Sequence, residues 1–425
     1  MKIVIKNGRV INPATGLDDK LDLVLQDGFI ATIDHNIHPK EGDTVIDATG
    51  CLVLPGLIDM HVHFREPGRE DVETIIGGSQ IAAKSGFTSV CTMPNTKPVI
   101  DNQALVRFII MEAAKGPINV FPAATITKGA KGEEISEMGK LVKGGAVAFT
   151  DDGRPVMSSI VMRRALEYAR MFNVPILSHA EDTLLADEGL MNEGLNSTRL
   201  GLKGIPCEAE EVMVSRDILL TRLTGGRLHF CHISSAGSVE LIRRAKKDGI
   251  KITCETAPHY FSITDDIIEE KMSMAKMNPP VRTEEHRKGI IEGLRDGTID
   301  CIATDHAPHS PSEKMQEMEY APFGIIGLET AVPLIITELV RNNNFSYIDA
   351  FSKVTCNPAA ILNLDRGTIA VGAHGDITII NPDKKILIDK NFIKSRCKNT
   401  PFMGMELYGS VEYTLCNGKI VYSRV

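Results

Sequence analysis

The middle of the chain limits the fold most strongly, because short apolar runs alternate there with helix-like runs. Eight apolar runs, each long enough for one strand, are spread over about 250 residues. They end near His63, Pro94, Thr125, Asp152, His179, Ser234, His259 and Asp305. Such alternation is typical of a parallel sheet, since parallel neighbours need a crossover connection. We therefore predict an α/β fold with a closed (β/α)8 TIM-type barrel. The helix of the third unit is the least clear, because residues 128–144 are rich in Gly and Lys.

The two ends of the chain have a different pattern. Four segments read as strands, namely residues 2–6, 21–25, 376–380 and 411–415. The pairs Asn7-Gly8, Asp27-Gly28 and Asn417-Gly418 predict tight turns between strands. We therefore expect one small β-sandwich domain formed by residues 1–54 and 367–425, and a catalytic barrel of residues 55–366.

Composition excludes several classes of protein. A length of 425 residues with 43% apolar content suffices for a large barrel and a minor domain, and the net charge of −8 argues against a general nucleic-acid binder. The sequence contains no run of about 18 apolar residues, so we expect no membrane span. The N-terminus also lacks the apolar block of a signal peptide. The nine cysteines contain no C-x-x-C pair, which favours buried free thiols. We expect a cytoplasmic protein.

The first barrel strand ends in His61-Val62-His63. Side chains two positions apart lie on one face of a strand, so both imidazoles can reach one metal ion. Taken alone, the pattern fits two ordinary histidines equally well. Further candidate ligands follow later strands: Asp151, Asp152, His179, His232 and Asp305. Because the carboxyl ends of barrel strands meet at one face, the set predicts a two-metal site with a bridging carboxylate and a bridging hydroxide. These ligand types favour zinc, although Mn²⁺ and Co²⁺ also accept them.

Two aspartates compete for the bridging position. If Ala148 and Thr150 face the barrel interior, Asp152 does so too, whereas Asp151 faces the helices. This favours Asp152 as the ligand and leaves Asp151 a supporting or capping role. Asp305 suits two tasks, as a metal ligand and as a proton shuttle. The position of His259 at the end of the seventh strand does not separate a supporting role from a functional one.

Three long connections, residues 182–206, 261–280 and 310–327, follow barrel strands on the face where barrels carry active sites. Residues 310–322 are polar and contain few packing residues. We expect this segment to be a mobile lid.

Six stretches carry a resemblance to a known family. They are Asp59–Gly68, Met93–Thr96, Phe149–Gly153, Met277–Arg282, Ala303–His309 and Asn399–Phe402. Over essentially its whole length, the chain resembles the bacterial type I dihydroorotases of the amidohydrolase superfamily. The Asp-His-Ala-Pro-His stretch that begins at Asp305 is the most specific of the motifs.

The resemblance implies a reversible cyclisation of N-carbamoyl-L-aspartate to L-dihydroorotate plus water, in pyrimidine biosynthesis. It implies two Zn²⁺ per subunit, a metal-bridging hydroxide as nucleophile and Asp305 as general acid and base. The implied ligands of one metal are His61, His63 and Asp305; those of the other are His179 and His232, with Asp152 as the bridge. The implied substrate contacts are His63, Arg65, Asn95, Asn278, His309, Phe323 and Gly324, of which Arg65, Asn95 and His309 bind the carboxylate.

Two alternatives remain open. One is another cyclic amidase, similar to dihydropyrimidinase or allantoinase, but many such enzymes bridge their metals with a carbamylated Lys and act on neutral rings. Arg65 and Asn95 argue against a neutral ring. The other is an inactive structural partner of aspartate transcarbamoylase, against which the complete ligand set argues. By family habit, the active enzyme is expected to be a homodimer that can also bind aspartate transcarbamoylase.

Overall fold

The computed structural model describes residues 2–424 of the chain. The first five strands are β1 (Lys2–Asn12), β2 (Leu17–Gln26), β3 (Phe29–Asp34), β4 (Thr44–Asp47) and β5 (Leu52–Pro55). The central strands are β6 (Leu57–Val62), β7 (Phe87–Thr92), β8 (Asn119–Ala124), β9 (Ala148–Phe149), β10 (Ile176–Ser178), β11 (Met191–Asn192), β12 (Gly204–Ile205), β13 (Leu228–Phe230), β14 (Ile252–Thr256) and β15 (Cys301–Ile302). The last strands are β16 (Ile377–Leu387), β17 (Glu406–Cys416) and β18 (Lys419–Ser423).

Eight of the central strands form a barrel. They lie side by side in the order β6-β7-β8-β9-β10-β13-β14-β15, and each pair is parallel. A parallel bridge between Val62 and His306 joins the last unit to the first, and the backbone amide of His63 donates to the carbonyl of His306 at 2.8 Å. The predicted (β/α)8 barrel is therefore confirmed.

Helices fill the connections between the strands. They are α1 (Ile75–Lys84), α2 (Gln103–Ala113), α3 (Met138–Gly144), α4 (Ser159–Arg170), α5 (Thr183–Ala186), α6 (Leu195–Leu200), α7 (Glu208–Thr224), α8 (Ala236–Lys247), α9 (Pro258–Ser262), α10 (Ile267–Lys271), α11 (Glu284–Arg295), α12 (Pro311–Lys314), α13 (Leu328–Leu334), α14 (Tyr347–Ser352) and α15 (Cys356–Ile361). A π-helical segment, Ile335–Asn342, continues α13, and short 3-10 turns span Lys128–Ala130 and Met272–Ala275. None of the helices within residues 2–424 combines the length and apolar character needed to cross a bilayer.

The uncertain third unit does contain a helix. In α3, Met138 and Leu141 are buried one turn apart, and the helix ends at Gly145, whose φ of 112° few other residues adopt. The flanking Gly and Lys residues obscured this short apolar face in the sequence.

The eight strands from the two ends of the chain, β1–β5 and β16–β18, share one sheet, while β11 and β12 form a separate parallel pair. Along β1, the first half is parallel to β4 and the second half is parallel to β5, which in turn pairs with β16. A separate apolar core contains residues from both ends of the chain, including Ile3, Leu23, Ile377 and Leu415. Both termini therefore contribute to one β unit, as the fold class predicted. The domain limits remain a prediction, and Met1 and Val425 lie outside the described residues.

One predicted turn is wrong. Asn7 and Gly8 lie inside β1, where the register to β2 shifts between Ile5 and Gly8 and Asn7 has a φ of 63°. The pair therefore forms a β-bulge. The other two pairs do lie in turns, between β2 and β3 and between β17 and β18.

Candidate metal centre and active site

Six side chains meet at the carboxyl ends of the barrel strands, and we call them the ligand cluster: His61, His63, Asp152, His179, His232 and Asp305. The candidate ligand atoms of His61, His63 and Asp305 lie within 4.8 Å of one another, and so do those of His61, Asp152 and His232. The shortest of these contacts joins Nε2 of His63 to Oδ1 of Asp305 at 2.9 Å. The strand ends thus bring together the residues expected from the sequence.

Asp152 contacts both halves of the ligand cluster. Its Oδ1 lies 3.4 Å from Nε2 of His61, 3.4 Å from Nε2 of His232 and 3.6 Å from Nδ1 of His179. Its Oδ2 lies 3.3 Å from Nε2 of His63. Nδ1 of His179 is also 2.9 Å from Nε2 of His232. A carboxylate in this central position is what a bridge between two metal ions requires.

The neighbouring Asp151 has a different environment. Its Oδ1 accepts from the backbone amide of Thr127 at 3.1 Å, and its Oδ2 accepts a short hydrogen bond from the Thr127 hydroxyl. Burial raises the pKa of Asp151 to about 6. Asp151 therefore fastens the loop after β8 and does not enter the ligand cluster.

Three buried atoms of the cluster lack hydrogen-bond partners: Nε2 of His61, Oδ1 of Asp152 and Nε2 of His179. Leaving a buried polar atom unpaired is costly, and nearly all such atoms in folded proteins find partners. A cation among them would satisfy these atoms, and imidazole with carboxylate is a donor set that zinc accepts. The residues present therefore fit a metal centre.

Protons compete with cations for these atoms. Burial alone lowers the pKa of an imidazole, but the Asp152 carboxylate and, for His179, Glu181 outweigh it and raise the pKa of His179 to about 10. The pKa of His61 is raised as well, by Asp152 against a similar effect of burial. Burial raises the pKa of Asp305, but the hydrogen bond from His63 and the nearby imidazole charges hold it below its usual range. Metal binding at this cluster must therefore displace protons.

A cavity of about 290 Å³ opens above the ligand cluster. Its lining includes five of the six cluster members, all but His61, and every residue expected to contact substrate: His63, Arg65, Asn95, Asn278, His309, Phe323 and Gly324. We call Asn278, His309, Phe323 and Gly324, which come from the connections after β14 and β15, the substrate wall.

Arg65 provides a cation at the edge of this cavity. Its Nε donates to the carbonyl of Pro308 at 3.1 Å, and its Nη2 lies 3.4 Å from Nε2 of His309. Burial and the Arg65 charge lower the pKa of His309 to about 3, so His309 is neutral at ordinary pH. Nε2 of His309 lies 2.7 Å from the carbonyl of Phe323 and is therefore the protonated nitrogen. The guanidinium of Arg65 is the group here that can attract a carboxylate.

The two amide side chains of the cavity are each held by one partner. The amide oxygen of Asn95 lies 3.0 Å from Nδ1 of His63, a contact that directs Nε2 of that imidazole to the cluster. The amide nitrogen of Asn278 donates to Glu181 at 2.9 Å, while its oxygen is buried without a partner. Asn95 therefore supports a ligand in addition to lining the cavity.

Comparison with known proteins identifies the family. A family model described as "Dihydro-orotase-like" matches residues 50–238. The chain is 48% identical over 425 residues to a dihydroorotase of Pelobacter propionicus, with full coverage of both chains. It is 50% identical over 420 residues to a dihydroorotase of Acetivibrio thermocellus, covering 99% of this chain and 98% of that one. The chain belongs to the dihydroorotase family.

Solved structures outside the named dihydroorotases share the fold. An L-hydantoinase from Arthrobacter aurescens has a TM-score of 0.89 at 25% identity, covering 99% of this chain and 96% of that chain. A dihydropyrimidinase from Brevibacillus agri has a TM-score of 0.84 at 21% identity, covering 100% and 95%. Membership of the dihydroorotase family, together with this fold, makes the protein a cyclic amidohydrolase.

The sequence prediction for this dihydroorotase-family site missed a buried carboxylate behind His61. Oε1 of Glu255 lies 2.7 Å from Nδ1 of His61, and Oε2 lies 3.2 Å from Nε2 of His229. The second nitrogen of His229 lies 2.8 Å from the hydroxyl of Thr253. A carboxylate on one nitrogen of an imidazole fixes the other nitrogen towards a metal. The available signal was an acidic residue inside the apolar strand β14.

A second missed carboxylate joins the first barrel strand to the last. Asp59 accepts from the backbone amides of His61 and Thr304, both at 3.1 Å, and from the Thr304 hydroxyl at 2.5 Å. It thereby fixes the backbone next to His61 and Asp305. Here too an acidic residue within an apolar strand was the signal.

Two further histidines near the site stay outside the ligand cluster. His306 contacts Glu73 through Nε2 at 3.2 Å and accepts from the backbone amide of Gly327 through Nδ1, which ties the turn after β15. His259 is buried, and burial lowers its pKa to about 4. Its Nε2 has no hydrogen-bond partner.

Proposed function

We propose that this protein interconverts N-carbamoyl-L-aspartate and L-dihydroorotate plus water, as a dihydroorotase of pyrimidine biosynthesis. The observation that carries the proposal is the Arg65 guanidinium, which shares one cavity with the ligand cluster. Both compounds carry one carboxylate that takes no part in the bond change, so a cation beside the metal centre suits them. The family relatives named dihydroorotase, at about half identity over the full chain, support the same assignment.

The metal centre that we propose contains two Zn²⁺ per subunit. His61, His63 and Asp305 would hold one ion, His179 and His232 the other, and Asp152 both. When bound, the ions would lower the pKa of water from 15.7 towards about 7 and polarise the amide carbonyl.

Asp305 is the residue we assign to proton transfer. In ring opening, its carboxylate takes a proton from the attacking water and delivers it to the ring nitrogen that leaves. In ring closure, the same carboxylate takes the proton from the attacking nitrogen and returns it to the departing oxygen. The depressed pKa of Asp305 keeps its carboxylate ionised, which is the protonation state that a proton acceptor must have before the reaction.

The cavity residues orient the substrate. A guanidinium can bind a planar carboxylate through two parallel hydrogen bonds, which assigns the substrate carboxylate to Arg65, with Asn95 and His309 beside it. His63 also lines the cavity, and we assign Asn278 with the backbone of Phe323 and Gly324 to the contact with the ring. Holding the reacting groups in one orientation accounts for a substantial part of the rate of such cyclisations.

The deciding experiment is an absorbance assay of ring opening with L-dihydroorotate, hydantoin and allantoin, before and after chelation. Turnover of dihydroorotate alone that is lost on chelation and restored by Zn²⁺ supports the proposal. Turnover of a neutral ring instead would favour the second candidate, a hydantoinase-like activity. The similarity in fold to L-hydantoinase supports this candidate. If the metal-loaded protein turns over none of these rings, the result would favour an inactive structural partner of aspartate transcarbamoylase.

The proposal extends to assembly. We assign a homodimer, supported by exposed apolar side chains on the adjacent helices α4 and α7, namely Ile160, Val212, Leu219 and Leu223. Sedimentation of the protein beside a Leu219→Asp variant tests it, since a dimer through this surface dissociates in the variant. A complex with aspartate transcarbamoylase is tested by co-sedimentation of the two proteins. The cytoplasm remains the predicted location.

A further inference from the structure

Two buried lysines lie behind the substrate wall. Lys314 is 0% exposed and Lys276 is 3% exposed. Among residues 2–424, neither ammonium group forms an ion pair with a carboxylate. Buried lysines without a counter-charge are rare, because removing an ammonium from water is costly.

Backbone carbonyls take the place of the missing counter-charge. Nζ of Lys314 donates to the carbonyls of Lys276, Pro322 and Gly324 at 3.1, 2.9 and 2.9 Å. Nζ of Lys276 donates to the carbonyls of Met318 and Ala321 at 2.6 and 2.7 Å, and it lies 4.5 Å from the centre of the Phe323 ring. All five acceptors belong to the connections after β14 and β15.

These bonds join the two connections that form the substrate wall. Lys276 precedes Asn278 by two residues, and its carbonyl also accepts from the backbone amide of Gly324 at 3.0 Å. The segment 310–322 contains few packing residues, as the sequence indicates, but three of its side chains, Lys314, Met318 and Ala321, are buried. These three side chains fill the interior of the loop, while most of its other residues are exposed, and the mobility of the segment stays a prediction.

We infer that Lys314 and Lys276 are positioning residues for the substrate: their ammonium groups hold the Phe323–Gly324 backbone and Asn278 at the distance that the ring requires. The role is distinct from catalysis, because neither side chain lines the cavity. It rests on the proposed function, since the ring is the ligand of this wall. Burial and the neighbouring Lys276 charge lower the pKa of Lys314 to about 7. Strongly shifted pKa values are concentrated at functional sites, so this shift agrees with a positioning role.

The geometry of Gly324 shows how little freedom the wall has. Its φ is 126°, and an added Cβ would lie 2.8 Å from Cβ of Ala307 and 3.0 Å from Nε2 of His309. The amide of Asn399 further binds the carbonyls of Ala307 and Gly324 at 3.0 and 3.1 Å. A small shift of the loop therefore changes the cavity directly.

The test compares Lys314→Met, an unbranched side chain that is one atom shorter and has no donors, with wild type. We expect KM for N-carbamoyl-L-aspartate to rise about tenfold while kcat changes less than about threefold, which is the signature of lost substrate binding. Zinc content should be unchanged. A Glu-specific protease should cut faster after Glu317 or Glu319, both exposed and both untouched by the substitution.

Two matched controls isolate the effect. Lys140→Met removes an exposed lysine paired with Glu137, and Gln316→Met alters the exposed surface of the same loop. Both should retain the wild-type KM and cleavage rate. If Lys314→Met yields no folded protein, Lys314→Gln, whose amide keeps two donor hydrogens, is measured in the same way and should show a smaller rise in both quantities.

Folded Lys314→Met or Lys314→Gln with wild-type KM and cleavage rate would overturn the inference, and so would a fall in kcat with KM unchanged. The cleavage comparison does not depend on turnover. Wild-type protein that opens no dihydroorotate would therefore defeat the proposed function alone, while the protease still reports whether Lys314 holds the loop.

Discussion

The ligand cluster and the substrate wall face each other across one cavity, but the chain holds them by different means. Cluster residues lie directly at strand ends, and carboxylates such as Glu255 and Asp59 fix them through side-chain bonds. Wall residues lie on long connections, and two lysines hold these connections together by donating to backbone carbonyls within them. The barrel therefore sets the position of the chemistry, whereas the loops set the fit of the substrate. Damage to the first should abolish turnover, and damage to the second should weaken binding.

The largest expected effect separates two adjacent aspartates. Asp152→Asn should lower kcat by about 10³-fold and reduce zinc content, because a bridging ligand is weakened. Asp151→Asn is the same chemical change one residue away and should keep its zinc, since Asp151 contacts only Thr127 among the groups described above. Metal analysis and steady-state kinetics measure both. Equal zinc loss in the two variants would contradict the assignment of the bridge.

Next in size is the loss of the cation beside the cavity. Arg65→Ala should raise KM for N-carbamoyl-L-aspartate by about 100-fold, because a charge-assisted pair of hydrogen bonds to the carboxylate disappears. Zinc content should stay the same, which places Arg65 with the binding side of the comparison. An unchanged KM would undermine the choice of a carboxylate-bearing ring.

A smaller effect tests the support of the cluster. Glu255→Gln should weaken zinc affinity by about 10- to 100-fold, because His61 loses the carboxylate that orients it. Glu73→Gln is the matched control, since Glu73 is also a buried carboxylate on a histidine, His306, but that histidine stands outside the cluster. Competition with a chromophoric chelator gives both affinities. Similar losses would show that general packing, not ligand orientation, is responsible.

The smallest effect concerns pH. Lys314 has an ordinary pKa of 10.5 in the unfolded chain and about 7 in the folded protein. Between these values the unfolded state binds more protons, so this group makes the unfolding free energy rise with pH. The unfolding free energy measured in urea should therefore rise from pH 7 to pH 10 more in wild type than in Lys314→Met. The difference between wild type and Lys140→Met should not change with pH, because both contain Lys314. A constant difference between wild type and Lys314→Met would argue that its ammonium is not desolvated.

The ligand cluster could be predicted because its signals are local. Parity along a strand separates Asp152 from Asp151, and strand ends of a parallel barrel meet at one face. Glu255 and Asp59 were missed because strand parity does not say which buried acid meets which histidine. Even so, an acid within an apolar strand marked both.

The support of the substrate wall could not be predicted. Lysine is normally exposed, so nothing near Lys314 or Lys276 distinguishes them from surface residues. Their role follows from carbonyls that become neighbours only after the two long connections fold together. The bulge at Asn7 was missed for a related reason: an Asn-Gly pair fits a turn and a bulge equally well, and the pairing of β1 with β2 decides between them.

The sheet shared by the two ends of the chain has a consequence for synthesis on the ribosome. β5 pairs with β16, and about 320 residues separate Pro55 from its partner Ile377. At about 5–20 residues per second, tens of seconds pass between the emergence of the two strands. During that interval β5 presents an open edge of buried, apolar residues, which is the kind of edge that invites pairing with another nascent chain. The last barrel strand, β15, is made only shortly before β16, so folding of the barrel cannot end this interval, and protection by chaperones would cover the open edge until β16 arrives.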